Sequence, residues 1–129
     1  MKEKVGEELE NQDYSIYYEP LESPLNQLWW HSYRPDVLGT RSEESKLNIV
    51  LVECETKPNR KRIMSKTTQI KKCLSLQRKL NEKSSFLPLL VIPPFNLNKV
   101  IHLPIRKFWE IWIVNRSGDI KHKISRASF

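Results

Sequence analysis

Residues 49–57 read Ile-Val-Leu-Val-Glu-Cys-Glu-Thr-Lys, an apolar run that ends in charged residues. The near-continuous apolar half predicts a strand over residues 47–56 that is buried on both faces and ends before Pro58. Because a strand turns successive side chains to opposite faces, Glu53, Glu55 and Lys57 are expected to share one face. Burying ionisable groups in a row is costly unless they are paired or hold a cation, so we expect positive charge beside this strand.

A second informative stretch is Pro35-Asp36, which lies upstream of the charged strand end. If Asp36 lies beside that strand, Asp36 and Glu53 supply two carboxylates that are close in space but not in sequence, and the backbone carbonyl of Cys54 supplies another oxygen. Mg²⁺ binds few protein oxygens and keeps several waters. A metal-bound water can attack a phosphodiester. Glu55 is then placed to orient or deprotonate that water, and Lys57 lies one step further along the same face.

These stretches resemble the motifs of the PD-(D/E)XK nuclease superfamily. The segment Pro35-Asp36-Val37-Leu38 is similar to its Pro-Asp-apolar-apolar motif, and Val52-Glu53-Cys54-Glu55 is similar to its apolar-Glu-x-Lys motif and to the Ile-Glu-Cys-Lys of archaeal Holliday-junction resolvases. The resemblance covers roughly residues 28–92. It implies a restriction-endonuclease-like fold, Mg²⁺ or Mn²⁺ as cofactor, and DNA as substrate. It also implies catalytic residues Asp36, Glu53, Glu55 and Lys57, and metal ligands Asp36, Glu53, Glu55 and the Cys54 carbonyl.

One departure from the family leaves two registers open. In the preferred register Glu55 stands where the family has Lys, and Glu53 follows directly on the apolar run. In the other register Glu55-Thr56-Lys57 is the Glu-x-Lys motif, which restores the lysine but moves the site toward Pro58. Members of the superfamily also often place a glutamate on the first helix, and the candidates for that role here are Glu7, Glu8 and Glu10.

Positive charge is concentrated directly after the acidic strand end. Residues 57–83 hold 10 Lys/Arg and 1 Asp/Glu, whereas residues 1–56 hold 5 and 12. Apolar residues at three- and four-residue spacings predict a helix over 60–82. A basic surface beside an acidic pocket suits a polyanion held by Lys and Arg. The residues that we expect to bind nucleic acid are Arg60, Lys61 and Arg62, with Lys66 and Gln69 added by their position in the resemblance.

The remaining pattern predicts an α/β protein. We expect a helix over 2–12, irregular chain over 13–27, and a strand over 28–38 that lies at an edge or bends at Pro35. A hairpin loop over 39–46 and strands over 86–92, 108–114 and 120–124 complete the pattern. A strand-helix-strand crossover in the middle predicts a mixed sheet of about five strands with helices on both faces.

Length and composition set the broad class. A chain of 129 residues with 39% hydrophobic and 29% charged residues fits one domain, residues 1–129. The N-terminus has no apolar signal core and no run reaches membrane-spanning length, so we expect an intracellular, cytoplasmic protein without a membrane partner. Cys54 and Cys73 are expected to be buried thiols. The abundance of Lys and Ile and the resolvase-like motif point to an archaeal or archaeal-virus source.

Other interpretations stay open from the sequence alone. Glu53 and Glu55 could be structural, paired with Lys57, Arg60 or Arg62 at a capped strand end. The chain could be a catalytically inactive nucleic-acid-binding module of the same fold, or a structural or assembly protein whose basic face meets an acidic partner. The DNA structure that is bound stays undefined, and a homodimer is possible because junction resolvases act as dimers.

Overall fold

The computed structural model describes residues 1–19, 35–80, 84–94 and 108–125. Eight helices and strands follow one another in these ranges. They are α1 (Lys2–Asn11), β1 (Ser15–Tyr18), β2 (Val37–Glu43), β3 (Lys46–Cys54), α2 (Arg60–Leu80), β4 (Ser84–Ile92), β5 (Glu110–Val114) and β6 (Ile120–Ser125).

The strands form one mixed sheet whose spatial order follows the chain, from β1 to β6. Antiparallel pairing joins β1 to β2, β2 to β3, and β5 to β6. The three central strands β3, β4 and β5 run parallel. Parallel strands need a crossover connection, and α2 supplies the one between β3 and β4. The end of β3 therefore lies in the middle of the sheet, with β2 on one side and β4 on the other.

The two helices cover opposite faces of this sheet. Val5 and Leu9 of α1 belong to a buried cluster with Val50 and Val52 of β3. Ile63 and Ile70 of α2 belong to a second buried cluster, which contains the alternate β3 residues Ile49 and Leu51. Helices on both faces and a central strand buried on both sides are therefore confirmed. The alternation also places Glu53 on the face that α2 covers.

The sheet has six strands, not about five, and the additional strand is β1. The segment 13–27 was expected to be irregular, but Ser15–Tyr18 pairs with β2. Its side chains are mostly exposed and carry no alternation of apolar and polar residues, which explains why the pattern missed it. Because β1 covers β2, the strand after Pro35 is internal and not at an edge. Pro35 lies before β2, so its missing N–H does not interrupt the ladder.

Other boundaries also differ from the prediction. The hairpin loop expected over 39–46 shrinks to a tight turn at Glu44 and Ser45, where Glu44 has a left-handed φ of 56°. Strand β3 ends at Cys54, two residues earlier than expected. The helix over 60–82 is confirmed as Arg60–Leu80. The strand expected over 28–33 lies outside the described residues.

Within the described chain, no helix is both long and apolar enough to span a membrane.

Candidate active site

Asp36 is fastened to the end of β3 by two hydrogen bonds. Its backbone N–H donates to the carbonyl of Val52 over 3.0 Å. Its carboxylate oxygen Oδ2 accepts the backbone N–H of Cys54 at 2.7 Å. Since Cys54 is the last residue of β3, the carboxylate takes the place of a backbone partner at the strand end. The Asp36 side chain therefore lies beside the peptide that joins Glu53 and Cys54. The two motifs are close in space, as the sequence predicts.

The other oxygen of Asp36 faces a lysine from the first helix. The ammonium of Lys2 lies 3.6 Å from Asp36 Oδ1, and it also donates to the carboxylate of Glu19. The hydrogen bond that Lys2 donates to Glu19, with a smaller contribution from the charge of Asp36, raises the pKa of Lys2 above its usual value although burial opposes this. The sequence contained no signal for Lys2, because only the docking of α1 brings it to the sheet edge.

Glu53 is buried and paired with Lys66. Its side chain is 6% exposed, and its Oε2 accepts the Lys66 ammonium at 3.0 Å. Burial alone would lower the pKa of Lys66. The negative charges of Glu53, Asp36 and Glu55 outweigh burial and raise that pKa above its usual value. The ammonium of Lys66 is therefore within electrostatic reach of all three predicted carboxylates.

Glu55 lies beyond the end of β3 and is bound to the connection that leads to α2. Its Oε1 accepts the backbone N–H of Lys57 at 3.0 Å and the guanidinium of Arg62 at 3.3 Å. The side chain of Glu55 is 6% exposed, whereas Arg62 is 54% exposed. Part of the structural interpretation, an ion pair between Glu55 and Arg62, is thus present. Glu53 pairs with Lys66, a cation that this interpretation did not name.

Lys57 does not share a strand face with Glu53 and Glu55, contrary to expectation. Strand β3 stops at Cys54, and the chain bends at Thr56 and Lys57, so the strand alternation no longer orients the Lys57 side chain. That side chain is exposed, and the contact described for Lys57 is the one that its backbone N–H makes with Glu55.

The glutamates of α1 make contacts elsewhere. Glu8 pairs with Lys123 of β6 at 2.5 Å, Glu7 pairs with Lys4 at 3.6 Å, and Glu10 is exposed. No contact described for these three glutamates joins them to Asp36, Glu53 or Glu55. What α1 brings to the strand end, within the described residues, is the positive charge of Lys2.

The predicted nucleic-acid-binding residues separate into two groups. Arg60 and Lys61 are exposed at the start of α2, whose first turn contains no acidic residue. Among the described residues, these two side chains have no ion-pair partner. Gln69 is also exposed. Arg62 and Lys66 are tied to Glu55 and Glu53 respectively, so they belong to the carboxylate site itself.

Cys54 contributes its backbone and not its thiol. The side chain packs against the α1-side cluster, away from Glu53. Burial raises the pKa of this thiol to about 12, with the charge of Asp36 adding to the effect. The thiol is therefore neutral at ordinary pH and points away from Glu53, so we do not assign it as a metal ligand or nucleophile.

The donor atoms fit a hard divalent cation, in competition with the ammonium groups. Three carboxylates lie around the end of β3, and Lys2, Lys66 and Arg62 each pair with one of them. Across the described ranges, no three His, Cys, Asp or Glu side chains are grouped as a metal cluster. Mg²⁺, however, is held by one or two carboxylates and several waters. Asp36 and Glu53 are carboxylates of that kind, and their oxygens already attract positive charge.

Comparison with known proteins gives structural neighbours only. No family model matches the sequence, and no curated protein matches it. An XisH family protein from Nostoc punctiforme superposes with a TM-score of 0.57 at 16% identity, over 96% of this chain and 98% of that one. A fdxN element excision controlling factor protein from Anabaena variabilis gives 0.50 at 14% identity, over 95% and 96%. At these identities the similarity establishes the fold alone. It confirms the α/β, restriction-endonuclease-like fold, with six strands.

Proposed function

We propose that this chain is a metal-dependent DNA endonuclease in which Asp36 and Glu53 hold Mg²⁺ or Mn²⁺. The observation that carries the proposal is the Asp36 carboxylate fixed against the Cys54 N–H, at the peptide that joins Cys54 to the buried Glu53. The two acidic positions come from separate segments and meet at the end of one central strand. The backbone carbonyl of Cys54 is the further oxygen that we assign to the metal.

The chain's own residues set up the reaction in this proposal. Asp36 is oriented by the backbone, which leaves its Oδ1 as the oxygen that Lys2 now faces. Glu53 is held in place by burial and by Lys66. When bound, the metal ion supplies Lewis-acid activation of water and neutralises negative charge on the phosphate. Glu55 holds the β3–α2 connection through Lys57 N–H and Arg62, and we assign it a positioning role.

The basic start of α2 is the surface that we propose for DNA. Arg60 and Lys61 are exposed and close in sequence to the carboxylate site, which suits contacts to phosphates flanking the scissile bond. One structural neighbour is named as a factor controlling excision of the fdxN element. A role of that kind supports DNA as the polymer bound by this chain.

We also propose that the protein acts in the cytoplasm, and that a homodimer is its form on branched DNA.

A cleavage assay on several DNA forms tests the proposal. Supercoiled plasmid, single-stranded DNA and a four-way junction are incubated with wild-type protein in Mg²⁺, Mn²⁺ or EDTA. We expect cleavage of at least one substrate with metal and none in EDTA. Glu53→Gln should not cleave, because the neutral amide binds the cation poorly. Metal-independent nicking, or equal activity in Glu53→Gln, would refute the proposed site.

A DNA-binding module without cleavage is the second candidate, and one observation favours it. Each of the three carboxylates already has a cation beside it without a metal ion, although Lys2 is shared between Asp36 and Glu19. This candidate predicts salt-dependent DNA binding with no cleavage of any substrate. A protein that neither binds nor cleaves nucleic acid would instead support an assembly role for the basic face.

A further inference from the structure

Two adjacent tyrosines of strand β1 are exposed, and they belong to opposite faces of the sheet. Tyr17 is 39% exposed and Tyr18 is 47% exposed. Tyr18 has a packing role, because its hydroxyl group lies so close to Gly6 of α1 that a Cβ atom at residue 6 would overlap it. Among the described residues, no hydrogen bond, ion pair or ring contact involves the side chain of Tyr17. Packing therefore accounts for Tyr18 but leaves the exposed ring of Tyr17 without a role.

Tyr17 lies on the same face of the sheet as the proposed active site. In the strand register Tyr17 is opposite Leu38, and Leu38 is opposite Leu51. Residues that oppose each other on neighbouring strands share a face. Leu38 and Leu51 belong to the buried cluster that α2 covers, and Glu53 follows Leu51 on that face. Strand spacing and rise place the Cα atoms of Tyr17 and Glu53 about 12 Å apart, so one short oligonucleotide can reach both.

The charge of the surface changes from one side of the site to the other. Arg60 and Lys61 expose positive charge at the start of α2. On the β1 side, the carboxylates of Glu19 and Asp36 share the ammonium of Lys2. Phosphates are therefore drawn toward α2. A neutral aromatic ring on the side of the carboxylates suits contact with a base, which carries no charge.

We propose that Tyr17 stacks on an unpaired base of the strand that is cleaved, so that the substrate class is DNA with unpaired nucleotides beside the scissile phosphate. The inference rests on the proposed function and deepens it by naming the kind of DNA. Every base has a π face, so stacking on an aromatic ring tolerates any sequence. In a duplex the neighbouring base pairs cover these faces. A single strand, a flap or a branch point leaves one open to Tyr17.

The test compares Tyr17→Leu with Tyr18→Leu, the matched change on the opposite face. Fluorescence anisotropy in EDTA gives the affinities for a single-stranded oligonucleotide, the blunt duplex of the same sequence, and an abasic strand of the same length. For Tyr17→Leu we expect single-strand affinity to fall by about fivefold or more, as for other lost stacking contacts. Its affinity for the duplex and the abasic strand should match wild type within about twofold, since the phosphate contacts remain. Tyr18→Leu should bind all three like wild type.

A second variant separates the ring of Tyr17 from its hydroxyl group. Tyr17→Phe keeps the ring, so its single-strand affinity should stay within about twofold of wild type. A loss as large as that of Tyr17→Leu would show that the hydroxyl group makes the contact, and would overturn the stacking. An equal loss of affinity for all three DNA forms in Tyr17→Leu would place Tyr17 on the sugar–phosphate backbone and would also overturn it.

One comparison needs no variant and covers the possibility that Tyr17→Leu does not fold. Wild-type protein should bind the abasic strand about fivefold more weakly, or worse, than the normal strand. Equal affinity for the two strands would overturn the inference. Wild-type protein that binds none of the three DNA forms would contradict the proposed function and this inference with it. Wild-type protein that binds DNA, with no selective loss in Tyr17→Leu, would contradict this inference alone.

Discussion

At the scale of single residues, the end of β3 is a set of three ion pairs with different surroundings. Glu53 and Glu55 are both buried, whereas Asp36 is 25% exposed. A carboxylate buried without a partner would be strongly destabilising, so the partners of Glu53 and Glu55 matter for folding as well as for any chemistry. Substitutions at this site must therefore separate a loss of stability from a loss of function, and isosteric amides are the suitable changes.

The first prediction concerns Asp36. In Asp36→Asn the side-chain oxygen still accepts the Cys54 N–H, so we expect stability close to wild type while metal-dependent cleavage is abolished. DNA binding should be unchanged or tighter, because a negative charge is removed beside a polyanion. Asp36→Ala loses the hydrogen bond as well, so its free energy of unfolding should be lower by about 1 kcal/mol. Urea denaturation and a plasmid assay measure the two effects; full cleavage by Asp36→Asn would remove Asp36 from the metal site.

The second prediction concerns Glu55 and decides between the two motif registers. Glu55→Gln keeps an oxygen that can accept hydrogen bonds from Lys57 N–H and Arg62. If Glu55 is a positioning residue, the cleavage rate of this variant should stay within about tenfold of wild type. Loss of a general base would lower the rate by about 100-fold or more. Glu53→Gln, tested alongside, should be inactive. The reverse result, with Glu55→Gln inactive and Glu53→Gln active, would identify Glu55-Thr56-Lys57 as the motif.

The third prediction is a pH dependence of stability that arises from Cys54. An unfolded thiol ionises near its ordinary pKa of about 8.5, whereas burial raises the folded value to about 12. The stability gained by keeping the thiol neutral is therefore fully present below about pH 8.5 and is lost as pH rises toward the folded value. The extra slope is at most about 1.4 kcal/mol per pH unit.

Comparison with Cys54→Ala isolates this effect. Both proteins share the titration of lysine and tyrosine, so the difference between their unfolding free energies reports Cys54 alone. From pH 8 to pH 10, measured by urea denaturation, wild type should lose more stability than the variant. Parallel pH profiles would show that the thiol ionises as easily in the folded protein as in the unfolded one.

At the scale of the secondary-structure elements, α2 combines core packing with positive charge. Ile63 and Ile70 fix the helix on the sheet, Arg62 and Lys66 enter the carboxylate site, and Arg60 with Lys61 remain exposed. The three- and four-residue spacing of apolar residues was sufficient to predict this helix and its start at Arg60. It could not assign roles to the basic residues, because those roles depend on the distance of each side chain from β3.

The fourth prediction belongs to the start of α2. Replacing Arg60 and Lys61 by Ala should weaken binding to all DNA sequences alike and reduce the salt slope by roughly 0.9 for each lost phosphate contact. Lys46→Ala is the control, since this exposed lysine stands at the opposite end of β3. Fluorescence anisotropy across a salt series gives the slopes. An unchanged slope in the double variant would exclude the start of α2 from the interface.

Strand prediction succeeded where apolar residues dominate, and where they alternate with polar residues as in β6, and it failed where they do neither. The runs at β3, β4 and β5 are buried, so their composition reports their structure. Strand β1 is short and mostly exposed, and what defines it is hydrogen bonding to β2. The strand end at Cys54 was placed too late for a related reason. The sequence continues to place charged residues at alternate positions, Glu53, Glu55 and Lys57, but the chain leaves the strand after Cys54 and turns toward α2.

At the scale of the whole molecule, the sheet assembles the site from four separate segments. Lys2 comes from α1, Asp36 precedes β2, Glu53 is the residue before the last one of β3, and Lys66 comes from α2. The carboxylates could be predicted because their spacing follows known motifs on a strand and its neighbour. Of the cations, Lys66 was named only by its position in the resemblance, and nothing local in the sequence relates Lys2 to the strand end. Only the packing of a helix on each face brings them there.

The central claim is that these carboxylates are arranged for a divalent cation and not only for the lysines that now face them. Calorimetric titration of wild-type protein and Glu53→Gln with Mn²⁺, in the absence of DNA, tests it most directly. We predict saturable binding to the wild type that is lost in the variant, with cooperative thermal unfolding of both proteins showing that the variant is folded. Wild-type protein that binds no more Mn²⁺ than Glu53→Gln would contradict the claim, and would leave the three ion pairs as a structural feature of a DNA-binding fold.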